Sequence, residues 1–199
     1  NILEDINLDI YQGDFLLIPG PNGGGKTSLL RTILRLQSPT KGRISFFRQG
    51  EPVSSLDMGY LPQKNSIDSR FPITVEEVVA SGLMGNTQKG NTKFDSKKEI
   101  DEMLDLMGIT ALRNKPIGVL SGGQLQRSLF GRALISKPEM LILDEPASYI
   151  DRQFGNRMFE ILRDLSSNGT TIMMVSHEIE PFITLSNRNL YINHILGDR

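Results

Sequence analysis

Gly20-Pro21-Asn22-Gly23-Gly24-Gly25-Lys26-Thr27 is the stretch whose reading decides the fold. It matches G-x-x-x-x-G-K-[ST] at every fixed position. Glycines let consecutive backbone N–H groups converge on phosphate oxygens with no side chain in the way. Upstream, Phe15-Leu16-Leu17-Ile18 reads as a short buried strand. Downstream, Leu29, Leu30, Ile33, Leu34 and Leu36 recur at helical spacing until Pro39 and Gly42. A helix therefore begins where the glycines end, and its positive N-terminus faces the same anion. Lys26 has the reach to contact β and γ phosphates, and the Thr27 hydroxyl is a hard oxygen suited to Mg²⁺. The expected phosphate-binding set is Gly20, Pro21, Asn22, Gly23, Gly24, Gly25, Lys26, Thr27 and Ser28.

Working outward, the apolar runs repeat. Met140-Leu141-Ile142-Leu143 runs into Asp144-Glu145-Pro146, and Thr170–Val175 runs into Ser176-His177. Residues 43–63 read as short strands ending at Gln63, and Leu190-Tyr191-Ile192 as a last strand. Ile2, Leu3, Ile6, Leu8 and Ile10 alternate like a strand at the front. The stretch 74–134 is helix-rich with polar loops such as Gly85–Asn91, and a further helix is expected around 152–166. Short apolar strands separated by helices imply a mostly parallel sheet covered on both faces.

In such sheets ligands bind at the carboxyl ends of the strands. Asp144 and Glu145 fall there on opposite sides of a strand, so they should have different roles. Asp144 is expected to hold Mg²⁺ through water, and Glu145 to accept a proton from an attacking water. His177 falls at the same edge; taken alone it reads as structural, as does His194. Leu120-Ser121-Gly122-Gly123-Gln124-Leu125-Gln126-Arg127 reads as an N-cap followed by the buried face of a helix. Its exposed N–H groups offer a second anion site, although alone it could simply be a capped helix.

Composition sets the bounds. A chain of 199 residues is long enough to bury a sizeable core as one domain. Lys plus Arg number 22 against 23 Asp plus Glu, a net charge of -1, so no broad polyanion-binding surface is supported. Cysteine is absent, which excludes disulfides and thiolate chemistry. No apolar run approaches the ~20 residues that span a bilayer, and no signal-peptide pattern opens the chain.

In order and spacing, Gly20–Thr27, Gln63, Leu120–Arg127, Leu143-Asp144-Glu145-Pro146 and His177 resemble the motif set of ABC-type ATPase domains. In that family they are the Walker A, Q-loop, signature, Walker B and H-loop motifs. The resemblance covers essentially the whole chain. It implies an α/β P-loop NTPase with a mostly parallel sheet flanked by helices, an inserted helical subdomain and a small N-terminal antiparallel β part. Residues 1–67 and 136–199 would form the nucleotide-binding core of the single domain 1–199, with 68–135 as the helical signature subdomain. The resemblance further implies a head-to-tail dimer of two copies, with ATP and Mg²⁺ sandwiched between Walker A of one and the signature of the other. Ser121, Gly122, Gly123 and Gln124 would then bind a nucleotide held by the partner chain. Glu145 would promote water attack, His177 would contact the γ-phosphate, and Gln63 would sense Mg²⁺ and the attacking water. Metal contacts would come from Thr27, Gln63 and Asp144. Asp151 closes a segment, Ser148–Asp151, that resembles the D-loop.

The departures from the family pattern are specific. Tyr149 is larger than the residue often found there and should change packing at the dimer seam. Gly131 stands where the family often has Ala, at a helix cost of about 1 kcal/mol. The aromatic that stacks on adenine usually precedes the first strand; none lies before Ile2, and Tyr11 falls too late. That residue is expected ahead of Asn1, with tighter ATP binding when it is present.

The chain has no room for a long coiled-coil insertion and carries one motif set, which leaves a separate ATPase subunit docked on a membrane permease. Arg70-Phe71-Pro72-Ile73-Thr74-Val75-Glu76-Glu77-Val78-Val79 looks like the segment found in importers of manganese, zinc or iron chelates, where it receives a permease helix. The same residues also fit a satisfied core turn, with Thr74 capping a helix. The implied setting is peripheral, on the cytoplasmic face of the membrane, with permease subunits as partners, a solute-binding protein acting indirectly and no nucleic acid. The alternative is a soluble ABC ATPase acting on nucleic acid or ribosomes; a weakly active regulatory domain is disfavoured by Glu145 and His177.

Overall fold

Each uninterrupted apolar run becomes a strand covered on both faces. The computed structural model describes residues 3–63, 71–84, 93–177, 180–193 and 195–198. In chain order the elements are β1 (Phe15–Ile18), α1 (Lys26–Ile33), β2 (Phe46–Arg48), β3 (Glu51–Val53), β4 (Met58–Leu61), α2 (Val75–Ser81), α3 (Lys93–Leu106), α4 (Gly122–Leu134), β5 (Met140–Asp144), α5 (Arg152–Ser167), β6 (Thr171–Val175), β7 (Arg188–Asn193) and β8 (Ile195–Asp198). Every residue of β1, β5 and β6 is buried.

The main sheet runs β4-β5-β6-β1-β7-β8. Its first five strands are parallel, and β8 pairs antiparallel with β7. A separate hairpin, β2–β3, is the small antiparallel part. Strand alternation divides the core in two. Phe15, Leu17, Leu141, Leu143, Ile172 and Met174 face one side, with α2, α3, α4 and α5. Leu16, Ile18, Met140, Ile142, Met173 and Val175 face the other, over Leu29, Leu30 and Ile33 of α1.

Two expectations are corrected. The front residues form no strand among the described positions. Asp5 takes a left-handed φ of 53°, which interrupts the extended backbone. Leu3, Ile6, Leu8 and Ile10 still alternate, but as side chains laid on the α1 side of the core. The helix after the glycines also ends early, at Ile33, and Leu36 is exposed. Leu36 N–H donates to Arg31 C=O at 2.9 Å and Arg35 N–H to Thr32 C=O at 3.0 Å, with Arg35 at φ 56°. This is a Schellman stop with arginine in the place usually taken by glycine. The strand expected at 190–192 is present and longer, and β8 was not foreseen. The Gly85–Asn91 loop and His194 lie outside the described residues.

The helical stretch is held by close approach. At Gly131 an added Cβ would lie 3.0 Å from Met107 Cγ and 3.3 Å from Met103 Cγ. The glycine therefore lets α3 pack tightly on α4, which accounts for a residue that looked only costly in sequence. At Gly59 of β4 an added Cβ would sit 2.0 Å from the Ala133 carbonyl oxygen. Backbone meets backbone there, and no side chain can swing aside. Gly59→Ala is expected to lower the Tm by about 4–8 °C, the effect of roughly 2 kcal/mol of overpacking, in a thermal scan followed by circular dichroism.

Candidate functional site

The sheet register collects the site. Ile18 pairs with Val175 and Val175 with Asp144, so β1, β6 and β5 end in one row. The glycine loop leaves β1, Ser176-His177 leave β6, and Glu145 leaves β5. Gln63 lies two residues beyond the end of β4, exposed, at the same edge of the sheet.

The loop is tightly wrapped. A Cβ at Gly20 would lie 2.3 Å from the Ile192 carbonyl oxygen of β7, so only glycine fits. Gly25, the N-cap of α1, takes φ 98°. Lys26 folds back and donates from Nζ to the carbonyls of Gly20 at 2.7 Å and Pro21 at 2.9 Å. These are the bonds that phosphate oxygens would replace. Burial pulls the Lys26 pKa below the usual lysine value, partly offset by the negative charges of Glu145 and Asp144.

The Thr27 hydroxyl donates to Asp144 Oδ2 at 3.1 Å. This bond joins two motifs 117 residues apart. Asp144 is 1% exposed. Burial raises its pKa above the usual aspartate value; the Glu145 charge adds to this, while the Thr27 hydrogen bond, Lys26 and Arg31 oppose it.

Glu145 has φ 54°, a left-handed conformation that costs a non-glycine residue about 1–3 kcal/mol. It precedes Pro146, which also restricts it. Its N–H donates to the Val175 carbonyl at 2.9 Å, and its Oε2 accepts from His177 N–H at 3.2 Å. The imidazole Nε2 of His177 lies 2.7 Å from Asn22 Oδ1 and 3.2 Å from Glu145 Oε1. Nε2 sits between two polar oxygens, one from the glycine loop and one from Glu145. His177 thus links the glycine loop to Glu145. The Asn22 side chain is a contact that sequence reasoning did not assign; no spacing rule points to it.

Ser121, Gly122, Gly123 and Gln124 form a separate group at the N-terminus of α4. Ser121 Oγ accepts from Gln124 N–H at 3.3 Å, and Gln124 Oε1 accepts from Ser121 N–H at 3.0 Å, a capping box. Asp151 caps α5, accepting from Phe154 N–H at 2.9 Å, and pairs with Arg127. Those two contacts pull its carboxyl below the usual aspartate range. Thr74 caps α2 in a second capping box with Glu77. Beside it Phe71 is exposed, whereas Ile73 packs on the core; Arg70 lies outside the described residues.

A glycine loop at a helix N-terminus, a lysine inside it and a carboxylate at the end of a strand in the same sheet define a P-loop nucleotide-binding ATPase fold. The chain belongs to the ABC transporter family, whose pattern it matches over residues 3–148. It is 40% identical, over 98% of its length and 81% of the relative's, to a "probable metal transport system ATP-binding protein" of Chlamydia pneumoniae. It is 37% identical, over 98% of its length and 76% of the relative's, to the zinc uptake system ATP-binding protein ZurA of Listeria monocytogenes. Its fold superposes with a TM-score of 0.84 on a dimeric ATP-binding cassette bound to ADP and phosphate, at 25% identity, covering 99% of this chain and 90% of that one. A transporter described as metal-chelate type, in an inward-facing conformation, gives 0.76 at 27% identity, covering 98% and 76%. The chain is therefore an ATP-binding cassette that hydrolyses ATP to power transport. No helix among the described residues is long and apolar enough to cross a membrane.

The raised pKa of Asp144 has a sign. Its ionisation costs the folded chain stability, a cost absent below the ordinary aspartate range and complete once pH exceeds the raised value. Asp144→Asn removes that cost. The Tm of the nucleotide-free protein is expected to rise at neutral pH, with the difference from the parent vanishing towards about pH 4. The Tm increase produced by MgATP should be lost in the same variant. Thermal unfolding across pH, with and without MgATP, checks both.

Proposed function

We propose that this chain is the ATPase subunit of an importer for divalent metal ions such as zinc or manganese, or for metal chelates. It would work as a head-to-tail dimer seated on permease subunits at the cytoplasmic face of a membrane, served indirectly by a solute-binding protein. Sequence similarity to metal and zinc transport subunits over nearly the whole chain supports the substrate class. The observation that carries the chemistry is the Thr27–Asp144 bond, which brings the phosphate loop and the strand-end carboxylate to one point.

A hydroxyl and a buried carboxylate are hard oxygen donors, the set that Mg²⁺ takes beside a triphosphate. We assign Thr27 and Asp144 to that ion, with Gln63 as a further contact. Bound with the nucleotide, Mg²⁺ neutralises phosphate charge. The loop N–H groups of residues 20–28 orient the phosphates, and Lys26 exchanges its two carbonyl partners for phosphate oxygens. Glu145 accepts the proton of the attacking water, and His177 holds Glu145 on one side and reaches the terminal phosphate on the other. Ser121, Gly122, Gly123 and Gln124 would close over the nucleotide of the partner copy, with Asp151 at the seam. In this reading residues 1–67 and 136–199 are the nucleotide-binding core, and 68–135 the helical part that carries the signature.

Glu145→Gln keeps the shape of the side chain and removes its basicity. Turnover of ATP is expected to fall by at least about 100-fold, with ATP-bound dimers accumulating in light scattering; unchanged turnover would remove Glu145 from its role. The substrate class is tested with the permease in vesicles. Zinc- or manganese-loaded binding protein should stimulate ATP turnover where the metal-free form does not, and equal stimulation by both would exclude metal import.

A further inference from the structure

The loop that carries Glu145 is strained, and its backbone is held by Glu145 N–H donating to the Val175 carbonyl at 2.9 Å and Ser148 N–H donating to the Glu145 carbonyl at 3.2 Å. Glu145 and Tyr149 are both left-handed, at φ 54° and 68°. Pro146 has no N–H to offer, but its carbonyl gives the segment a further point of attachment. That attachment comes from α4. Gln126 Nε2 donates to the Pro146 carbonyl at 3.2 Å. Gln126 is 1% exposed, and its Oε1 is buried with no hydrogen-bond partner among the described residues. One residue further on, Arg127 pairs with Asp151 and stacks its guanidinium 4.5 Å above the Phe154 ring.

A buried amide with one satisfied end is a poor way to fill an apolar helix face, because the orphaned oxygen is a net cost. The satisfied end, however, meets the residue adjacent to the candidate base. We propose that Gln126 is a positioning residue for Glu145. From the second turn of α4 its amide fixes the Pro146 carbonyl, and with it the left-handed backbone that aims the Glu145 carboxylate. The helix that begins at Ser121 is thereby tied to the hydrolytic group of its own chain. This proposal rests on the reading of Glu145 given above.

Gln126→Met is close in volume and removes both the donor and the orphaned acceptor. In MgATP turnover assays kcat is expected to fall about tenfold from the misaimed base, with KM for ATP within about twofold of the parent and Tm equal or higher. Gln126→Glu supplies the second readout. The protonated acid can still donate to the Pro146 carbonyl and the anion cannot, so the ratio of its kcat to that of the parent should climb as pH is lowered. Unchanged kcat in Gln126→Met, a combined loss of kcat, KM and Tm as for a purely structural residue, or a flat ratio in Gln126→Glu would each overturn the proposal. If Glu145→Gln retains turnover, the reading of Glu145 has failed. If Glu145→Gln is inactive while Gln126→Met keeps full kcat, only the present inference has failed.

Discussion

Parallel pairing puts Ile18, Val175 and Asp144 in a single row, and everything chemical about this chain hangs from that row. Parallel strands all end on the same side, so each loop that leaves the sheet there starts a few ångströms from the next. The register does the rest. A slip of one residue between β5 and β6 would turn Asp144 to the opposite face and break its contact with Thr27. Double-sided burial protects against that slip, because both alternating sets of side chains are committed to a core.

The same geometry imposes an electrostatic burden. Lys26 and Asp144 are both largely withdrawn from water, and burial moves each pKa towards its neutral form. Neither group has an oppositely charged hydrogen-bond partner among the described residues. Lys26 makes do with two carbonyls and Asp144 with a hydroxyl. In the proposed function a triphosphate with its cation would supply what is missing to both at once, a negative group for the lysine and a positive one for the carboxylate. On that proposal, ligand affinity would draw on desolvation already suffered in folding, which is the logic of a preorganised polar site.

Much of this was legible in the residues. The apolar runs at 15–18, 140–144 and 171–175 became the buried strands, and the loop at 20–27 stands between strand and helix as its pattern required. What misled was local. The alternation at Leu3–Ile10 carries the period of a strand but lacks a ladder, and period alone cannot report a left-handed Asp5. The early stop of α1 rests on Arg35 adopting a conformation that sequence assigns to glycine. The bond between His177 and Asn22 spans 155 residues and follows from tertiary placement alone. Gln126 did leave a trace: it occupies the apolar stripe of α4 with Phe130 and Ala133, and a polar residue in such a stripe asks for a partner.

That stripe explains why one helix can serve two places. The N-terminus of α4 is a capped, partly exposed turn, the place where the proposed function puts the nucleotide of a partner copy. Its body is fixed: Gly131 admits α3 against it, Ala133 meets Gly59 of β4, and Gln126 and Arg127 reach the loop after β5. A helix is stiff over so short a length, so a displacement imposed at Ser121 cannot be absorbed before it reaches residue 126. The loop it meets is strained at Glu145 and Tyr149, and such backbone persists only where its surroundings over-determine it. Gln126 and Arg127 are part of those surroundings, so the body of α4 holds the strained loop in place.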